Sequence, residues 1–155
     1  MFNNTCCFIG HREIEETEEL REKLKNIIEG LITSKGVDTF LFGSKSRFNS
    51  LCYGLVTELK TKYPNIKRVY VRAEYPDISD DYKGYLLSLY EDTYYPEKAV
   101  GRAVYIERNR EMIDKSEYCV FYYRKDLLPT ARKSGTLTAL SYAVSKKREI
   151  TILSF

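Results

Sequence analysis

Tryptophan is absent from this chain of 155 residues, and histidine occurs once. One histidine and four cysteines without a C-x-x-C spacing leave no ligand set for a structural zinc site. Adjacent Cys6 and Cys7 on a strand point to opposite faces, so they do not ligate one ion together. Four prolines and eight glycines are too few for low-complexity linkers. No apolar run approaches the ~18 residues of a membrane span. The residues before Cys6 lack the basic start of a signal peptide, and Cys6–Ile9 is too short for its apolar core. A net charge of +3 is too small to name a polyanion as partner. These absences leave one expectation: a single cytoplasmic domain over residues 1–155, with reduced, mostly buried thiols and neither metal nor cofactor.

What the chain does have is 14 tyrosines and seven phenylalanines, many rings with one polar end. Strand-type and helix-type patterns alternate along it. Thr5–Ile9 is a short apolar run stopped by Gly10, and Leu20, Leu24, Ile27, Ile28, Leu31 and Ile32 keep helical spacing behind the acidic stretch Glu13 to Glu19. Thr39–Phe42 is a second strand. Phe48, Leu51, Cys52, Leu55, Val56 and Leu59 write a second helix with Ser46 as its N-cap. Lys67–Arg72 alternates as a third strand, a short helix carries Tyr82 to Tyr90, and a polar helix runs from Gly101 to Lys115. Glu117–Tyr123 is the most apolar strand, Ser134-Gly135-Thr136 opens a helix, and Ile150–Leu153 is the last strand. The expected fold is an α/β, Rossmann-like doubly wound sheet of about five mainly parallel strands, order 3-2-1-4-5, with helices on both faces and the first and fourth strands central.

Such sheets bind ligands outside the carboxyl ends of their strands, where the strand order reverses. Gly10, His11 and Arg12 follow the first strand, Gly43 and Ser44 the second, and Ser134, Gly135, Thr136 and Thr138 open the helix after the fourth. Asn109 lies on the helix leading into the fourth strand. Small residues at strand-to-helix turns let backbone N–H groups approach phosphate, hydroxyls add donors, and an arginine pairs with phosphate as a fork. His11 reads either as a hydrogen-bonded turn residue or as a ring touching the ligand. The pairs Tyr94-Tyr95 and Tyr122-Tyr123 read either as core rings or as stacking platforms. The basic stretch from Arg124 to Arg148 reads either as a solvated loop and helix end or as a polyanion contact.

Cys7-Phe8-Ile9-Gly10-His11-Arg12 resembles the C-F-x-G-H-R opening of the YspA/YpsA-like branch of the SLOG superfamily, which groups the DNA-processing protein A fold with the LOG cytokinin-activating enzymes. Phe42 to Asn49 stands where that branch has a G-G-A-x-G-x-D turn. Arg108 to Ser116 is similar to its R-N-x-x-M-[VI]-D-x-S segment, and Ser134 to Thr138 to its G-G-T helix start. The resemblance runs from Cys6 to Leu153. It implies a Rossmann-like domain for nucleotides or nucleotide-derived ligands, some members recognising cyclic ADP-ribose-type signals and the LOG enzymes cleaving a nucleoside monophosphate. The LOG motif places a catalytic glutamate where this chain has Ala139, and Ser44 and Asn49 replace a glycine and an aspartate.

The function expected from these features is binding of a nucleotide-derived, phosphate-bearing small molecule, ADP-ribose-like in class, in a sensing or sequestering role without an assigned catalytic residue. The alternatives are an N-glycosidase of nucleoside monophosphates using Asp114, Glu111 or Glu74 as its acid, and a single-stranded nucleic-acid binder using the basic stretch. The tyrosines and leucines of Tyr82 to Tyr95 are candidates for a homo-oligomer interface.

Overall fold

The computed structural model describes residues 4–43, 46–73, 75–96, 104–123 and 135–154. Six parallel strands form one sheet: β1 (Thr5–Gly10), β2 (Thr39–Phe42), β3 (Lys67–Val71), β4 (Asp92–Tyr94), β5 (Tyr118–Tyr123) and β6 (Glu149–Ser154). Five helices connect them: α1 (Glu18–Lys35), α2 (Arg47–Lys60), α3 (Asp80–Leu89), α4 (Val104–Asp114) and α5 (Gly135–Ser145). The strand order is β4-β3-β2-β1-β5-β6. The Rossmann-like α/β architecture is therefore as expected, with a correction in strand number and order. A sixth strand, β4, extends the sheet beyond β3, so the middle pair is β1 and β2, with β5 one place out.

Local chemistry sets the helix ends. Thr17 caps α1 by accepting the Leu20 N–H at 3.1 Å, Glu18 and Glu19 occupy its first turn, and Gly36 ends it in the left-handed region at φ 71°. Ser46 caps α2 by accepting the Asn49 N–H at 3.1 Å, as its place in the sequence predicts. Ser79 caps α3, whose start at Asp80 lies two residues ahead of the expected one at Tyr82.

Alternation along the strands builds two apolar layers. Cys6, Phe8, Phe40, Phe42, Tyr118, Val120 and Tyr122 face one side, where α1 and α2 cover them with Leu20, Leu24, Ile28, Phe48, Leu55 and Val56. The rings of Phe40 and Phe42 lie 5.8 and 5.4 Å from that of Phe8. Cys7, Ile9, Leu41, Val69, Val71, Cys119 and Phe121 face the other side, under Met112 and Ile113 of α4 and Ala139 and Ala143 of α5. All four cysteines are buried and free, and Cys6 and Cys7 face opposite layers. Among the described residues no helix is long and apolar enough to cross a membrane.

The short β4 is held by side chains. Arg68 of β3 clasps Glu91, just before β4, with Nε to Oε1 at 3.0 Å and Nη2 to Oε2 at 2.7 Å, while Glu91 Oε1 also accepts the Arg68 N–H at 2.8 Å. The Thr93 hydroxyl donates to the Tyr70 carbonyl at 2.9 Å. Burial raises the Glu91 pKa, but the Arg68 hydrogen bonds and charge outweigh it and hold the carboxyl below its ordinary value.

Candidate functional site

The chain runs outward from β1 through β2 and β3 to β4, then returns to lay β5 against the other side of β1. The loops after β1 and β5 thus leave toward opposite faces, and the sheet opens between them. A cleft of about 790 Å³ lies along this carboxyl edge.

Seven of the ten residues singled out in the sequence line it: Gly10, His11, Arg12, Gly43, Asn109, Gly135 and Thr136. They come from stretches more than a hundred residues apart and meet at one rim. Thr138 does not join them. It lines an adjoining small hollow with Ile106, Arg110 and Ala139, which shares Asn109 and Gly135 with the cleft, because two residues along a helix turn the side chain by about 200° from Thr136. Ser44 and Ser134 lie outside the described residues, as do Glu74 and residues 124–134 of the basic stretch.

Gly10 and Gly43 have a packing reason to be glycine. A Cβ on Gly10 would stand 2.7 Å from Cγ of Phe48, and one on Gly43 would stand 2.5 Å from Met112 Sδ and 2.8 Å from Arg108 Nε. Gly135 differs, since a Cβ there meets open space. The His11 ring lies against Tyr123, the last residue of β5, with centroids 5.8 Å apart, and so bridges the ends of β1 and β5.

The sequence reading missed several residues. Asn49, buried in the third position of α2, donates from Nδ2 to the Phe8 carbonyl at 3.2 Å and accepts the Gly43 N–H on Oδ1 at 3.3 Å. One amide thus ties the ends of β1 and β2 to the start of α2. Its signal was the Ser46-x-x-Asn49 spacing, which resembles a capping box. Arg108 is a charged residue only 6% exposed, seated beside Gly43 with its guanidinium 5.5 Å from the Tyr105 ring. Nothing in its polar helix marks it out from Arg110, which instead lies over Tyr142.

Among the described residues, Arg12, Arg47, Arg72 and Arg108 line the cleft against one carboxylate, Glu13. Glu13 is 81% exposed and 3.5 Å from Arg47 Nε. The Arg47 N–H donates to the Arg12 carbonyl at 2.9 Å, which fixes the loop after β1 over the first turn of α2. The aromatic lining is Tyr70, Tyr75, Tyr82 and Tyr105. Tyr122 and Tyr123 are buried instead, Tyr122 beneath Phe48 with centroids 5.5 Å apart, which removes both as stacking platforms.

Of the carboxylates named for glycosidic cleavage, Asp114 and Glu111 are engaged elsewhere, and Glu74 lies outside the described residues. Asp114 Oδ1 accepts the Tyr142 hydroxyl at 2.7 Å, which, after burial, pushes the Tyr142 pKa up to about 12. Glu111 is 3.5 Å from Lys115 Nζ. Neither lines the cleft, and Ala139 is buried in the second apolar layer. What the arrangement can do is hold an anion: guanidinium groups and the first turns of α2 and α5 line one hollow. Comparison with protein-family models gave no match, and comparison with curated protein sequences gave none.

Proposed function

We propose that this chain is a SLOG-type ligand-binding domain whose cleft holds a nucleotide-derived, phosphate-bearing small molecule. The observation that carries the reading is the convergence of Arg12, Arg47 and Arg108 and the first turns of α2 and α5 on one hollow whose described lining holds one carboxylate, the exposed Glu13. A rim of that charge attracts a multiply charged anion, and the planar guanidinium of Arg12, exposed at the loop after β1, suits a phosphate fork. The one carboxylate in the described lining, Glu13, is exposed and lies beside Arg47, which favours binding over bond cleavage and suits a sensing or sequestering role.

The test is thermal unfolding in the presence of AMP, ADP-ribose, cyclic ADP-ribose isomers and the corresponding unphosphorylated nucleosides. At about 100 times its Kd a ligand adds roughly 2.7 kcal/mol to stability. Phosphate-bearing compounds raise Tm, nucleosides do not, and Arg12→Ala reduces the shift. A flat response to every compound overturns the reading.

A further inference from the structure

The two edges of the sheet are built differently. β4 closes one edge: it is three residues long, and α3 packs against it. β6 ends the other edge, and among the described residues no strand pairs with its outer side. An open edge is ordinarily blunted by shortness, proline, a bulge or an inward-pointing charge. β6 keeps unbroken register with β5 from Glu149 to Ser154 and contains no proline. Its one charged residue, Glu149, stands at its start, 3.8 Å from Lys35 Nζ at the end of α1.

One hydrogen bond fixes which backbone groups face outward. The Glu149 N–H donates to the Glu117 carbonyl, on the β5 side, at 3.0 Å. Backbone groups alternate sides along a strand, so Thr151 and Leu153 also bond β5. Ile150 and Ile152 then offer their N–H and C=O groups to the open side. The Ile152 side chain is 47% exposed and lies on the face covered by α5, as Ile150 does. Val144 of α5, 60% exposed, borders the same flank. Tyr142 turns to Asp114 of α4, and Val144, about 200° further round the helix, faces away from α4.

We propose that β6 pairs antiparallel with β6 of a second copy of this chain, about a two-fold axis normal to the sheet at Thr151. That rotation keeps α5 of both copies on one face, so the exposed isoleucines meet across the seam. Ile150 stands opposite Ile152 of the second copy, and each such pair exchanges both its backbone hydrogen bonds. Thr151 meets Thr151, a favourable cross-strand pair, and Arg148 meets Ser154, so no like charges are opposed. Centring on Ile152 instead would set Ile150 against Ser154 and shorten the ladder. The seam is about 20 Å long and, with a helix layer on each face, about 30 Å deep, which gives roughly 600 Å² per copy. A total of about 1,200 Å² meets the lower limit of a specific interface, and a dimer of about micromolar Kd follows. The inference is independent of any ligand in the cleft.

The experiment is sedimentation of the intact chain across a hundredfold concentration range around about 10 µM. The parent is expected to pass from chain mass to twice that mass. Ile152→Lys, at an exposed position, raises the dimer Kd at least tenfold, while Tyr85→Lys, on α3 at the far edge, leaves it unchanged. Thr151→Cys tests the register and does not depend on the lysine variant folding. Opposite Thr151 positions form a close, non-hydrogen-bonded pair, within disulfide reach. Mild oxidation of Thr151→Cys therefore gives a covalent dimer, and the parent, whose cysteines are all buried, gives none. A parent that stays at chain mass throughout overturns the proposal and leaves the edge to a strand of another protein. A dimer lost in Tyr85→Lys but kept in Ile152→Lys overturns it too, moving the interface to α3. Failure of Thr151→Cys to cross-link in a dimeric sample overturns the register and the edge pairing with it.

Discussion

The ring of Phe48 occupies the space where a side chain on Gly10 would begin: a Cβ there would stand 2.7 Å from its Cγ. Phe48 is fully buried and packs on Tyr122, 5.5 Å between centroids, so it has no room to step aside. The rim of the cleft is thus shaped from beneath by the core, and the glycine is a condition of packing whatever the ligand.

Gly10→Ala is accordingly expected to destabilise by about 2–3 kcal/mol, the upper part of the overpacking range. Gly135→Ala, facing open space in a helix, leaves stability unchanged or raises it by up to about 1 kcal/mol. Urea unfolding of the two variants separates the cases. If the ligand approaches the α5 backbone, the stable Gly135→Ala protein also loses affinity.

Asn49→Ala strands the Phe8 carbonyl and the Gly43 N–H at a buried place. A cost of about 2 kcal/mol or more follows, since each orphaned buried group carries its full desolvation penalty. Denaturant midpoints check this, and ligand titration of the folded fraction shows whether the β1 and β2 ends have lost their register.

The Arg68–Glu91 clasp gives a pH dependence of known sign. The folded-state pKa of Glu91 is depressed, so its contribution is present above the unfolded-state value of about 4.3 and is lost as pH falls through the folded one. With side chains 13% and 29% exposed, a contribution on the order of 1 kcal/mol is expected. Glu91→Gln lowers stability at pH 7 and flattens the acid limb of the stability curve below about pH 4.3. An acid limb identical to that of the parent would exclude this clasp as its source.

Cys7 and Cys119 face each other across β1 and β5 with sulfurs 3.6 Å apart. The hydrogen bond from Cys7 and burial push the Cys119 thiol up, and burial does the same to Cys6 and Cys52. Cys6, Cys52 and Cys119 therefore resist thiolate chemistry while the protein is folded, and burial shields Cys7 from reagents as well. A thiol-specific chromogenic reagent is expected to register almost none in the native protein and four in guanidinium chloride.

Features carried by neighbouring residues were legible in the sequence. Ser46 announces α2, Gly36 ends α1, and the apolar runs at Cys6–Ile9 and Tyr118–Tyr123 declare adjacent buried strands. β4 was not legible, because Asp92-Thr93-Tyr94 has no strand pattern of its own and is extended by pairing with β3, helped by side-chain contacts from Arg68 and from Arg72 just beyond it. The switch-point rule led to Gly10, His11 and Gly135 because strand ends mark the edge. Arg108 was legible only as part of Arg108-Asn109-Arg110, a helix segment able to approach this edge, while the cleft tyrosines escaped, since their placement depends on which helix crosses which turn, a matter of tertiary packing. Thr138, two residues along α5 from Thr136, lines the small hollow that shares Asn109 and Gly135 with the cleft rather than the cleft itself.

The partnership of β1 with β5 also bears on how the chain reaches its native state. Cys7 and Cys119 are 112 positions apart, so β1 has its second neighbour only after most of the polypeptide has been ordered. Joining such distant segments is entropically demanding and slows the search for the native topology. Refolding should therefore pass its barrier late, with the β1–β5 ladder among the last native pairings to form, and the hollow between those strands would come into being only when folding is nearly done.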